Sequence, residues 1–273
     1  MNTIAPDIAL DTAPDTAPDT AFDAKPVAWV TGASQGIGRA LCLELARRGW
    51  HVAASARSLD RLQALADGSA SPGLIRAFGL DVRDPSQCEQ VLEQITNTWG
   101  PVELAVLNAG THRSFSVKEI SVDAVRELLD INVMGTVNVL VPLLRQMQPA
   151  GKGRIGVVAS LSGYRGLPSA SAYGASKAAL INLCESLRIE LQGSGVIMQV
   201  INPGFVKTPL TDQNTFAMPD LISAERAACY IADGLQRDRF EIRFPPRFAL
   251  MMGLLRHLPY SLYLPLIRRL TRK

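Results

Sequence analysis

Val27-Ala28-Trp29-Val30-Thr31-Gly32-Ala33-Ser34-Gln35-Gly36-Ile37-Gly38 is followed by a helical pattern over residues 39–48 and then by Gly49. The apolar start reads as a short buried strand, the glycines as a turn, and the remainder as a helix closed by glycine. Gly32 permits the tight turn, Gly36 lets the backbone approach a pyrophosphate, and Gly38 allows helix and strand to pack closely. The helix N-terminus then offers free N–H groups and the positive end of its dipole to phosphate oxygens. Ser34, Gln35 and Ile37 complete the loop and are expected to touch the same ligand. The spacing is G-x-x-x-G-x-G, not G-x-G-x-x-G, so the flanking strand and helix carry the inference.

The alternation continues outward. Strands are expected at residues 51–55, 74–80, 102–107, 154–159, 196–201 and 240–244. Helices are expected after Ser58, from Asp84-Pro85 to Trp99, and over 122–147, 171–191 and 223–236. Asp84 followed by Pro85 is a helix start with a cap and a pre-set first turn. Such alternation predicts an α/β fold, a doubly wound parallel sheet with helices on both faces. Ligands of such sheets sit at the carboxyl ends of the strands, where Arg57, Asp81, Asn108, Ser160 and Asn202 all fall.

Tyr173 and Lys177, four apart at the head of a long apolar helix, share one helix face. A free phenol has a pKa of about 10 and is a poor base at neutral pH. A neighbouring ammonium favours the phenolate, so the pair can exchange a proton near pH 7. Ser160 stands thirteen residues earlier at a strand end, placed to hold the same substrate oxygen if the chain folds back. The tip of the second strand bears on cofactor choice. Residues 52–59 hold no Asp or Glu, and Arg57 lies nineteen residues after Gly38. An acid there would bond a ribose 2′-hydroxyl, whereas Arg pairs with a 2′-phosphate, so NADP(H) is favoured over NAD(H).

Composition narrows the classes. A chain of 273 residues, 47% apolar, can bury a large core, and a net charge of +3 does not suggest nucleic-acid binding. The four cysteines form no C-x-x-C, and three fall on the apolar side of predicted helices, as in a reducing compartment. The three histidines have no metal-binding spacing, so no metal is expected. No signal peptide and no apolar run of membrane-spanning length is read, which makes the cytoplasm the default.

Together, T-G-A-S-Q-G-I-G, N-A-G at 108–110, Asn132, Ser160 and Y-x-x-x-K at 173–177, in that order, resemble the short-chain dehydrogenase/reductase family in its compact one-domain form. The resemblance spans about residues 26–243 and implies a Rossmann-type sheet of seven parallel strands with NAD(H) or NADP(H) as cofactor. It implies Tyr173 as general acid/base, with Lys177 lowering its pKa and holding the nicotinamide ribose. Ser160 would bind the substrate oxygen and Asn132 a water of the proton relay. Asp81 and Val82 would meet the adenine, and Asn108, Ala109 and Gly110 would support the cofactor ribose. Pro203, Gly204, Val206 and Thr208 would line the nicotinamide side. Leu107 departs from the family, many of whose members have Asn there. The chain end departs too, lacking the Gly-rich strand of many subunit interfaces; that bears on the tetramer, while a homo-oligomer, dimer or tetramer, stays the expectation.

The expected function is interconversion of a ketone or aldehyde with an alcohol on a small, hydrophobic substrate. A non-catalytic NADP-binding sensor or scaffold on the same fold is the competing reading, and turnover of any carbonyl separates the two. A relative performing epimerisation or dehydration would have a different Gly spacing and a larger substrate domain. Three segments follow. Residues 1–25, with three Asp-Thr-Ala repeats, read as a disordered low-complexity leader. Residues 26–244 form the catalytic domain, within which 205–221 have the make-up of a lid with an apolar inner face. Residues 245–273 are an apolar and basic tail, too short and interrupted to span a bilayer. Packing on its own domain is favoured for it, with a partner subunit or a peripheral membrane surface as the other settings.

Overall fold

The computed structural model describes residues 25–212 and 218–271. The leader, apart from Lys25, lies outside the described residues, as do Phe216 of the expected lid and Arg272 and Lys273 of the tail.

The strands are β1 (Val27–Thr31), β2 (His51–Ala56), β3 (Ile75–Gly79), β4 (Leu104–Leu107), β5 (Gly153–Val158), β6 (Val196–Pro203) and β7 (Glu241–Phe244). They form one sheet in the order β3-β2-β1-β4-β5-β6-β7, every neighbouring pair parallel. The helices are α1 (Gly36–Arg47), α2 (Leu59–Asp67), α3 (Pro85–Trp99), α4 (Val122–Leu129), α5 (Gly135–Ala150), α6 (Ser171–Glu190), α7 (Ala224–Leu235), α8 (Pro246–Leu255) and α9 (Tyr260–Thr271).

Every residue of β1 is buried, because helices cover both faces of the sheet. Successive side chains point to opposite faces, and the core divides accordingly. Val27 and Trp29 pack with Val91 and Ile95 of α3, Leu140 and Leu143 of α5, and Leu180 of α6. Ala28 and Val30 pack with Leu41 and Leu45 of α1, Leu62 and Leu65 of α2, and Ile231 of α7. The indole of Trp29 keeps its N–H satisfied by donating to Ser55 Oγ at 2.7 Å. Strand order reverses between β1 and β4, which opens a crevice at their carboxyl ends.

α3 starts as expected: Asp84 Oδ1 accepts from the backbone N–H of Ser86 and Gln87, and Pro85 occupies the first turn. The single helix expected over 122–147 is instead interrupted by a π-helical turn, Asp130–Met134. One extra residue in a turn re-aims the side chains it carries, and such bulges gather at functional sites. Here it delivers Asn132 to the interior, fully buried, and a side chain at the following Gly135 would collide with Val82. Among the described residues, the run Val122–Ala150 is long and apolar enough to cross a bilayer, with mean hydropathy 1.4. The expectation of no such run missed it because Asn132, Thr136 and Asn138 interrupt the apolar letters. It is a core helix, burying Leu128, Val139, Leu140, Leu143 and Met147. The tail forms two short helices, α8 and α9.

Candidate active site

The site begins where β1 and β4 part. Asn108 closes the crevice: its Nδ2 donates to the carbonyls of Thr31 and Gly32 at 3.0 and 3.2 Å. Thr31 Oγ1 in turn accepts from the N–H groups of Asn108 and Ala109. The turn after β1 is held open by glycine. Gly32 has φ +67°, and a Cβ there would stand 2.8 Å from Ala109 Cα. Gly36 has φ +56°, and a Cβ there would stand 3.0 Å from Thr208 Cγ2. Both values lie in the region that ordinary residues avoid. Gln35, at the N-cap of α1, makes no side-chain hydrogen bond to the first helical turn, so those N–H groups remain available to an anion. The cradle therefore suits a phosphate brought close to backbone, and a side chain at Gly36 would fill it.

A cleft continues from this turn along the strand ends. Ile37, Asn108, Gly110, Ser160, Tyr173, Lys177, Pro203, Gly204, Val206 and Thr208 all line it. Residues 136 positions apart in the chain, Ile37 and Tyr173, thus face one space. Asn132 lies beneath it. Its Oδ1 accepts from the Thr111 N–H at 2.7 Å, and its Nδ2 donates to Thr111 O and Ser176 Oγ, each at 3.0 Å. Ser176 Oγ donates onward to the Tyr173 carbonyl at 2.7 Å, tying the π-helical turn to the first turn of α6.

Lys177 is only 4% exposed, and its Nζ donates to the Val158 carbonyl at 2.8 Å. It stands 5.8 Å from the Tyr173 ring centre. Burial lowers its pKa to about 8. Burial also pushes the Tyr173 phenol up, and hydrogen bonding with Ser160 opposes that rise. The help foreseen from Lys177 is not among the causes of the Tyr173 shift, because the ammonium points to a strand-end carbonyl rather than to the phenol. Ser160 Oγ accepts from the N–H and the hydroxyl of Ser162, at 3.2 and 2.9 Å.

Other expected residues sit outside the cleft lining. Arg57 is exposed just beyond β2 and makes no ion pair among the described residues. Asp81 is held by Arg83, whose guanidinium keeps its carboxyl below the usual range. The Val82 carbonyl accepts from Asn138 Nδ2 at 2.9 Å, while its side chain is buried at Gly135. Sequence reading overlooked the supports: Thr31, Thr111, Ser162, Ser176 and His112, whose ring meets that of Tyr173 edge-on at 4.6 Å. Thr31, Ser162 and Ser176 were visible as the first letter of T-G-A-S-Q-G-I-G, as S-L-S and as the residue before Lys177; Thr111 and His112 carried no local signal. Arg61 was missed as well. Four residues beyond Arg57, it reaches the Gly-rich turn by donating to Gln35 Oε1 at 3.1 Å. Of the expected lid, Leu210 lines the cleft and Phe205 packs on Phe248, with ring centres 5.2 Å apart.

The short chain dehydrogenase family model matches residues 26–218, and the chain belongs to that family. It is 39% identical over 244 residues to an uncharacterized oxidoreductase of Myxococcus xanthus, covering 89% of this chain and 96% of that protein. It is 35% identical over 192 residues to the 3-oxoacyl-[acyl-carrier-protein] reductase FabG of Escherichia coli, covering 70% and 77%. Among solved structures, an alcohol dehydrogenase from the archaeon Thermococcus sibiricus, complexed with 5-hydroxy-NADP, matches with a TM-score of 0.72 and 26% identity, covering 81% of this chain and 96% of that one. The chain is thus an oxidoreductase of this family, built on its Rossmann-type sheet.

Proposed function

We propose that this protein is an NADP(H)-dependent oxidoreductase that interconverts a hydrophobic ketone or aldehyde with its alcohol. The observation that carries the reading is the convergence of Ser160, Tyr173 and Lys177 with the Gly-rich turn on one cleft. When bound, NADP(H) supplies or accepts the hydride. The glycines at 32, 36 and 38 and the first turn of α1 would hold its phosphates; Asn108, Ala109, Gly110 and Lys177 its nicotinamide-side ribose; Asp81 and Val82 its adenine; and Pro203, Gly204, Val206 and Thr208 its ring side. Arg57 supports the choice of NADP(H): its guanidinium is exposed at the strand tip, and Arg61 stands one turn later on α2.

Tyr173 gives its phenolic proton to the substrate oxygen during reduction and takes it back during oxidation. Ser160 donates a hydrogen bond to that oxygen as charge develops there. The Ser162 hydroxyl and N–H both donate to Ser160 Oγ, whose own hydrogen has only a long contact to the Pro203 carbonyl, 3.5 Å, to give up when it turns to substrate. Lys177, its ammonium held by the Val158 carbonyl, lines the cleft beside Tyr173 and would bind the cofactor ribose there. Asn132 fixes the π-helical turn against α6, and the second lone pair of its amide oxygen is the place for a relay water. Ile37, Val158, Val206 and Leu210 give the cleft apolar walls, in keeping with a hydrophobic substrate. A relative named as a 3-oxoacyl reductase points the same way.

A panel of ketones, aldehydes and alcohols assayed with NADPH, NADH and their oxidised forms tests the reading. Turnover with NADPH ahead of NADH is expected. Nucleotide binding without turnover of any panel member would favour a sensor.

A further inference from the structure

α8 and α9 meet the domain with one face each. Phe248, Ala249 and Met252 of α8 pack on Leu161, and Tyr263 of α9 donates its hydroxyl to the Gly166 carbonyl at 2.9 Å. Arg165 lies against the rings of Tyr260 and Tyr263, at 4.5 and 4.4 Å. The remaining faces are apolar and unpartnered among the described residues. On α8, Leu250, Met251 and Leu254 recur at helical spacing, and Leu254 is 66% exposed. On α9, Leu262, Leu266 and Leu270 form a second stripe at helical spacing, and Leu270 is 68% exposed. Only Tyr263 and Ile267 of the twelve residues of α9 are buried.

Charge selects what covers this surface. Residues 244–273 hold six Lys or Arg and no Asp or Glu. A second copy packed on this face would bring a patch of the same positive sign against it, with Arg268 and Arg269 exposed and no acidic residue in 244–273 to pair with them, a repulsive arrangement. Anionic head groups would meet the same arginines favourably while the leucines enter the acyl boundary. At 1.5 Å per residue, the ten residues of α8 and twelve of α9 reach about 15 and 18 Å, short of the ~30 Å hydrocarbon core. The helices can therefore lie on a bilayer but not cross it.

We infer that α8 and α9 form a peripheral docking surface for an anionic lipid bilayer. The test uses full-length protein with vesicles of phosphatidylcholine alone or mixed with phosphatidylserine. Co-sedimentation with the anionic vesicles at low salt is expected, falling sharply at about 1 M salt, where the Debye length is about 3 Å. Replacing Arg268 and Arg269 by Gln should weaken partitioning more than about tenfold, since each surface arginine contributes roughly fivefold. Leu254→Glu with Leu262→Glu should abolish it. All four side chains are exposed, so circular dichroism and any turnover should be unchanged. Protein that stays in the supernatant at low salt overturns the inference. So does vesicle binding that ignores these substitutions. A fall in solution mass of the leucine variant by light scattering, without vesicle binding by the parent, would assign the face to a second copy instead.

Discussion

Asn132 and α9 meet the interior in opposite ways. The Asn132 amide is wholly buried and bonded at both ends, to Thr111 and to Ser176, and through Ser176 to the backbone of Tyr173. α9 buries Tyr263 and Ile267 and leaves five leucine or tyrosine side chains of its twelve residues in solvent. A buried polar group tolerates almost no displacement, because an unmade hydrogen bond there costs about 1–3 kcal/mol. An amphipathic helix on the rim tolerates changes on its outer face. In turnover and stability, the cleft should therefore respond to single atoms and the tail only to substitutions on its inner side.

The largest effect tests the cleft. Tyr173→Phe removes one hydroxyl and little volume, and kcat should fall by roughly 10²–10⁴, the usual worth of a positioned acid/base. Nucleotide affinity, measured by fluorescence titration, should persist. A variant with most of its rate intact would remove Tyr173 from the chemistry. On the tail's inner face, Phe248→Ala should lower stability by about 3–5 kcal/mol, as for a large aromatic truncated in a core. Chemical denaturation reads this directly; a loss below about 1 kcal/mol would mean that α8 is merely apposed.

Arg57→Asp comes next. Exchanging a phosphate partner for a ribose acceptor should shift the NADPH-over-NADH ratio of kcat/KM roughly tenfold to hundredfold towards NADH. An unchanged ratio would move the 2′-phosphate contact to Arg61 or elsewhere.

Lys177 gives a pH signature. Its folded pKa is about 8 against an ordinary 10.5, so between these values the unfolded chain binds more protons than the folded one. Stability therefore gains from this group as pH rises from about 8 to about 10.5, where burial no longer opposes a charge. Denaturation of Lys177→Met across that window should lack the gain; a parallel pair of curves would show that the ammonium is not penalised. The smallest effect belongs to the outer tail. Leu254→Glu should change stability by no more than about 0.5 kcal/mol, in contrast to Phe248 six residues earlier.

The glycine turn was legible because backbone demands leave few residue choices: two positive φ angles and a close approach to Ala109 write themselves as Gly32 and Gly36. The alternation of strands and helices was legible because both faces of the sheet are buried, which gives short apolar runs such as residues 27–30. The Tyr173–Lys177 spacing likewise follows from helix geometry alone. The direction of the Lys177 ammonium does not. It is settled by the Val158 carbonyl at a strand end nineteen residues away. The π-helical turn was invisible too, since Asp130-Ile131-Asn132-Val133-Met134 suits an ordinary helix, and the Thr111 and Ser176 partners of Asn132 come from other elements. The tail divides the same way: its leucines and arginines stand in the sequence, but that Phe248, Ala249 and Met252 pack inward on Leu161, and Tyr263 on Arg165, depends on where those partners lie. Local conformational limits are encoded residue by residue, whereas a side chain's partners depend on which distant segments folding brings within about 3 Å.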